Sequence, residues 1–425
     1  MHLDRDQAAR LREALLAAAY TTSDVADLLG PVAHAALARQ ETVPARRATT
    51  GGSPLETLIR LFLLQLPVDE RALQRALPVD AGVAAGLVER AGGDVRARLD
   101  LRPYDEDFYV VSDLDAGLDA AVRPVSPDHV IGLGGASATL AELTPRRPVG
   151  RALDIGTGSG VQSLHLTGHA DRVVATDVSA RALALARLSA GLSGVDFDLR
   201  EGSLYAPVAG ERFDLIVSNP PFVVSPAARF TYRDSGLPGD ELCRRLVAGA
   251  AGHLEEGGTF VCLANWVHGR GEPWGERVRS WLPQGCDAWV VQREVEDPAQ
   301  YVSLWLHDSG DVHRPEFVEL YDVWLAGFEA AGVEAVGFGW ITLRRTPSQQ
   351  PTVRVEEWPH AVEQPLGPHV QAWFERQQWL RGHDDDALLD ARPRVASDVV
   401  QEQLGPPGAE DPERIVLRQH RGLRR

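Results

Sequence analysis

The stretch Val149-Gly-Arg-Ala-Leu-Asp154-Ile-Gly156-Thr157-Gly158-Ser159-Gly160-Val161 constrains this chain more than any other. Apolar Val149, Leu153 and Ile155 predict a buried strand, and three glycines in five residues predict a tight turn into a helix. Such a strand–turn–helix unit belongs to an open α/β sheet, where ligands bind outside the carboxyl ends of the strands. Val161 stands where a dinucleotide fingerprint needs its last glycine, so a pyrophosphate cradle fits poorly. No Gly-Lys-Ser/Thr follows the turn, which excludes a Walker phosphate loop.

Two further strands end in polar residues. Arg172-Val-Val-Ala-Thr-Asp177 closes on a carboxylate that can accept both ribose hydroxyls of an adenosyl group lying over the glycines. Phe213-Asp-Leu-Ile-Val-Ser-Asn219 closes on Asn219-Pro220-Pro221-Phe222. Asn219 has a side-chain oxygen, Pro220 a backbone carbonyl held outward by the fixed proline φ, and Phe222 a flat face for a planar group. Two acceptors aimed at the N–H groups of an amide or ring-attached amine enrich its nitrogen and stabilise the charge that develops there.

With both motifs in hand, the chain resembles the class I S-adenosylmethionine-dependent methyltransferases that carry an Asn-Pro-Pro-aromatic motif on the fourth strand. That group includes the HemK-type glutamine methyltransferases and several RNA and DNA amino methyltransferases. The match runs from about Arg123 to Leu343. It implies a Rossmann-like α/β sheet, S-adenosyl-L-methionine as cofactor, and a cofactor site at Asp154, Gly156, Thr157, Gly158, Gly160, Asp177, Val178, Gly202, Ser203 and Asn219. Related enzymes often carry an aspartate where Ser203 stands, so the charge-assisted part of an adenine contact is lost here. Asn219, Pro220 and Phe222 carry the chemistry, and Pro221, Tyr232 and Arg233 contact substrate. Ser137 and Thr139, near a helix start at Ser137, can hold the methionine carboxylate, or serve only as a cap. His129 is read as structural.

The 425 residues predict three parts: a helical, winged-helix-like N-terminal domain over 1–122, the methyltransferase domain over 123–346, and a C-terminal extension over 347–425. In the first part, helices are expected at Leu55–Leu64, Glu70–Leu77 and Ala81–Ala91, then strands at Asp94–Arg102 and Phe108–Ser112. The polar stretch Val43–Pro54 reads as a linker or a substrate-facing arm. Arg96, Arg98 and Arg102 make the N-terminal part either a nucleic-acid or ribosome-docking module or a lid, and the alternating acids favour the lid. Further strands are expected at Thr259–Ala264, Trp289–Glu294, Val302–His307 and Val336–Leu343. The run Gly422-Leu-Arg-Arg425 reads as the middle of a continuing segment.

A formal charge of −17 disfavours broad capture of nucleic acid, and lysine is absent, so every basic residue other than histidine is arginine. Three cysteines without zinc spacing suit a reducing cytoplasm, and no metal site is expected. No apolar run is long enough to span a bilayer. The expected partner is a protein of the translation apparatus, with a glutamine side chain as acceptor, or a structured RNA; the alternative acceptor is the exocyclic amine of adenine or guanine in RNA or DNA. A third reading, a non-catalytic winged-helix regulator with a decayed cofactor domain, is opposed by the intact Gly156, Gly158, Gly160, Asp177 and Asn219.

Overall fold

A computed structural model describes residues 4–106, 108–115, 117–118, 126–225, 234, 236–308, 311, 314–396, 399–408 and 411–419. Its centre is an eight-stranded sheet built from β1 (Val149–Ile155), β2 (Ala170–Asp177), β3 (Asp198–Glu201), β4 (Phe213–Ser218), β5 (Leu254–Gly269), β6 (Cys286–Glu296), β7 (Val333–Arg345) and β8 (Val353–Glu357). The spatial order is β8-β6-β7-β5-β4-β1-β2-β3. Strands β3, β2, β1, β4 and β5 run parallel, and β7 is antiparallel to both β5 and β6. Strand order therefore reverses between β1 and β4, a switch point at which open α/β sheets hold their ligands. The strands around it are apolar on both faces because helices cover both sides; Ala152, Leu153, Leu215 and Ile216 are all buried.

The N-terminal part opens with the helices Arg5–Ala17 and Thr22–Ala38, and from Pro54 onward it folds as a helix, a short strand, two helices and two hairpins. Pro54–Leu58 starts in a Ser53–Glu56 capping box and continues as the π-helical turn Ile59–Leu63. Val68–Asp69, Glu70–Gln74 and Val79–Ala85 follow. The third helix stops at Ala85, not Ala91, because Gly86 takes a left-handed φ of 77°. Val88–Ala91 is then a strand that pairs with Asp94–Ala97 across Gly92–Gly93. The expected strand Asp94–Arg102 is two strands, the second being Asp100–Tyr104, paired with Phe108–Ser112. Val43–Pro54 is neither linker nor arm: Val43–Ala48 is helical, with Ala45 and Thr49 buried. Arg102 lies beside Asp100 at 2.5 Å and serves the fold rather than a docking surface.

This part shares a core with the central domain. Leu11, Leu15, Leu61 and Tyr109 pack in one cluster with Leu185, Leu188 and Leu192 of the helix Ala180–Ser193. Two serines of that helix, four residues apart, accept N–H groups from the hairpin: Val111 N–H donates to Ser189 and Tyr109 N–H to Ser193, each at 2.9 Å.

The boundary expected at 346 is overrun. Strand β8 pairs in parallel with β6, and the helix Gly367–Arg381 returns to the same core, stacking Trp373 on Trp289 at 5.3 Å. The expected strand Val302–His307 is instead part of the helix Pro298–Asp308. A second helix, Phe317–Ala331, packs against it before the chain enters β7.

Candidate active site

The tips of β1 and β4 are register partners, Ile155 opposite Ser218, and the Ser218 hydroxyl donates to the Ile155 carbonyl at 2.7 Å. Gly156 and Asn219 are the next residues on each strand, so the glycine turn and the Asn-Pro-Pro-Phe segment leave the sheet side by side. Gly158 and Asn219 line one cavity of about 500 Å³.

The turn is drawn together by its neighbour strand. Gly156 and Thr157 N–H groups donate to the Thr176 carbonyl at 2.9 and 3.0 Å. Gly156 and Gly158 have φ of 74° and 55°, and a Cβ on either would meet no atom within 4 Å: their bare backbone faces open space. Gly160 does different work. It does not line the cavity; its φ of 91° favours glycine, while a Cβ there would meet Ala186 and Phe197 only at an ordinary contact of 3.4 Å.

Asp177 closes the turn from β2. One carboxylate oxygen accepts from Gly158 N–H at 2.9 Å and the other from Ser179 N–H at 2.8 Å. Burial raises its pKa, and these N–H groups partly offset the rise. Asp177 lines the cavity, and each of its oxygens can accept a further hydrogen bond. The Asp177 carbonyl takes Gly202 N–H at 2.9 Å, which brings Gly202 and Ser203 to the same wall. Val178, Leu204 and Leu246 supply apolar lining there.

Asp154 departs from its expected place. It is fully buried beneath the turn and absent from the wall; Ser163 donates to its Oδ2 at 2.8 Å, and Thr157 Oγ1 lies 3.0 Å from Ser163 Oγ. Burial lifts its pKa to about 6, and its Oδ1 has no partner. The helix beyond the glycine-rich segment starts at Gly135, two residues before the expected start; Ser137 lines the cavity and Thr139 does not.

Pro220, Pro221 and Phe222 line the other end with Asn219. Trp305 joins them from the helix Pro298–Asp308, its ring centroid 6.4 Å from that of Phe222 at 66°. Sequence reading missed Trp305 because it missed the helix. The signal was present: Asp297-Pro298-Ala-Gln300 is a cap with proline at the first turn, and Asp297 accepts from Gln300 N–H at 2.9 Å. Tyr232 and Arg233 lie outside the described residues. His129 is on the wall, 3.8 Å from Asp113. Among the described residues the wall carries Asp128, Asp177, Asp234 and Asp308 and no arginine.

A nucleoside-bearing ligand with a charged amino-acid tail fits these residues. Bare glycine backbone leaves room beside a paired acceptor, apolar groups flank the Asp177 end, and a helix N-terminus lies near Ser137. Residues 132–271 match the family model described as the methyltransferase small domain. Residues 132–271 of the central domain are thus similar to a methyltransferase family. Residues 17–98 match a second model, described only as a domain of unknown function. The methyltransferase domain is similar to the release factor glutamine methyltransferases of Xylella fastidiosa (39% identity over 132 residues, 28% of this chain and 48% of that protein) and Deinococcus radiodurans (42% over 125 residues, 26% and 44%). It is also similar to the ribosomal RNA small subunit methyltransferase C of Salmonella arizonae (35% over 133 residues, 31% and 35%). The chain thus spans less than half the length of these curated relatives.

Proposed function

We propose that the protein is an S-adenosylmethionine-dependent N-methyltransferase whose acceptor is a planar nitrogen, the side-chain amide of a glutamine in a translation protein. The observation that carries the reading is the opening of Gly158, Asp177 and Asn219 into one cavity at the sheet's switch point. Gly156, Thr157, Gly158, Asp177, Val178, Gly202 and Ser203 would hold the cofactor. When bound it supplies an activated methyl group on sulfonium. The protein then has to hold a poor nucleophile in line. Asn219 and Pro220 offer two acceptor oxygens to the N–H groups of the acceptor, and Phe222 offers a face to its plane. No dedicated base is needed, because the cationic product nitrogen loses its proton to water readily.

A carboxamide is favoured over a nucleotide by charge. A base enters with phosphates on either side, and those would approach a chain of formal charge −17 and the carboxylates of the described wall. The partial likeness to a ribosomal RNA methyltransferase makes a base amine the alternative outcome. The test compares a strain lacking the gene with its parent: release factors, ribosomal proteins and total RNA are digested and searched by mass spectrometry for one missing methyl. Loss of a methylglutamine supports the reading; loss of a methylated base overturns it in favour of RNA.

A further inference from the structure

The helical insertion between β6 and β7 carries an aromatic series that the methyl-transfer reading leaves unused. Trp305 lines the cavity beside Phe222. One helical turn earlier, Tyr301 is fully buried and meets Trp305 at 6.1 Å and 64°. Tyr301 in turn packs on Phe328 of the following helix at 5.9 Å and on Phe338 of β7 at 5.5 Å. The series therefore runs from the Asn-Pro-Pro-Phe end of the cavity into the insertion's core. Tyr301 also holds backbone: its hydroxyl oxygen accepts from Val224 N–H at 2.8 Å and from Asn265 Nδ2 at 3.0 Å. Val224 lies two residues beyond Phe222, and Asn265 is a buried residue of β5. A buried N–H that loses its acceptor shifts until it finds another, and here that shift would be passed to the segment that carries Asn219 and Phe222.

We propose that this insertion builds the acceptor wall: Trp305 is a specificity-determining residue that, with Phe222, forms an aromatic corner for a flat uncharged group, and Tyr301 is a positioning residue that sets the Asn-Pro-Pro-Phe segment through Val224. The inference rests on the methyltransferase reading and assigns the acceptor side of that site. The two rings meet at 66° as a corner and both line the cavity, which suits the flat side of a planar group better than a tetrahedral one. The two residues act on different quantities. Trp305 contributes contact area in both ground and transition states, so its loss raises KM. Tyr301 governs alignment, so its loss lowers kcat.

The test uses the full chain with radiolabelled methyl donor and two acceptor probes, purified release factor and 16S ribosomal RNA, taking whichever the wild type methylates. Trp305→Ala should raise the acceptor KM about tenfold, as loss of one aromatic contact implies, with cofactor affinity by calorimetry unchanged. Trp305→Phe should restore most of it. Tyr301→Phe should lower kcat about tenfold with KM for the acceptor within about twofold, since one misplaced acceptor segment costs alignment. Calorimetric cofactor binding at wild-type strength in each variant shows that the fold is intact. An active wild type whose acceptor constants survive both Trp305→Ala and Tyr301→Phe overturns the wall alone. A wild type that binds no cofactor and methylates neither probe overturns the methyltransferase reading together with it.

Discussion

Asp154 gives the most quantitative test of how the cofactor turn is built. Its carboxyl is fully buried, Ser163 satisfies one oxygen at 2.8 Å, and the other has no partner. Desolvation dominates, and it lifts the pKa from 3.8 to about 6, with nearby Asp177 adding to the rise. A folded pKa above the unfolded one means that the folded state favours the proton. The group's stabilising contribution is thus complete below 3.8 and is lost as pH rises through about 6. The displacement from 3.8 to about 6 is worth about 3 kcal/mol in all, of which about 1.4 kcal/mol remains at about pH 5. Asp154→Asn keeps an oxygen for Ser163 and puts an uncharged amide nitrogen where the unpartnered oxygen lies. The difference in unfolding free energy, variant minus wild type, should therefore rise by about 1.4 kcal/mol between about pH 5 and about pH 8. Urea denaturation of both proteins at both pH values measures it, and titrating groups not coupled to Asp154 cancel in the difference. A difference that stays constant across that range, or falls, would refute the assignment of a costly buried charge beneath the turn.

The remaining expectations concern the cavity and its support. Asn219→Ala should reduce kcat about 100- to 1,000-fold, the usual cost of one donor or acceptor aimed at developing charge, with cofactor Kd unchanged by calorimetry; full turnover would sink the proposed role. Asp177→Ala removes the acceptor for Gly158 and Ser179 N–H groups and for the ligand, so cofactor Kd should rise about 10- to 100-fold on loss of charge-assisted hydrogen bonds; an unchanged Kd would place the ligand elsewhere. Ser189→Ala and Ser193→Ala each strand a buried hairpin N–H, and each should cost about 1–3 kcal/mol in urea unfolding. A loss within about 0.5 kcal/mol would mean that the hairpin finds other acceptors on the helix.

The glycine-turn side of the cavity was legible because its residues sit within or directly after short contiguous motifs. Gly156, Asp177 and Asn219 each follow or end an apolar strand, and parallel pairing of Ile155 with Ser218 then makes neighbours of residues far apart in the chain. Where one residue type serves two purposes, the motif could not separate them. Gly158 bares backbone to the cavity, whereas Gly160 stands off its wall and serves the turn, and both occupy a positive φ. Asp154 reads as a cofactor contact but lies one layer down, because the strand's alternation turns it into the sheet's interior rather than toward the crevice.

The side of the cavity lined by Phe222 and Trp305 was hidden for a different reason. Val302-Ser-Leu-Trp-Leu reads as an apolar run of strand length, and only the cap at Asp297 distinguishes it from one. The helix leaves Leu304 48% exposed while Tyr301, Val302 and Leu306 are buried, so the buried residues share one helical face and Leu304, which an alternating pattern would count as inward, lies on the other. Val88–Ala91 was lost by the reverse error: a helix was extended through Gly86, whose left-handed φ ends it. In both places a terminator outweighed the hydrophobic pattern. The consequence reaches the chemistry. Tyr301 grips Val224 from 77 positions away, so the segment proposed to hold the acceptor is tied to a helix whose first turn is capped by one aspartate and one proline. Substitutions at Asp297 or Pro298 that fray that first turn should therefore act on turnover through Tyr301, although neither residue lines the cavity.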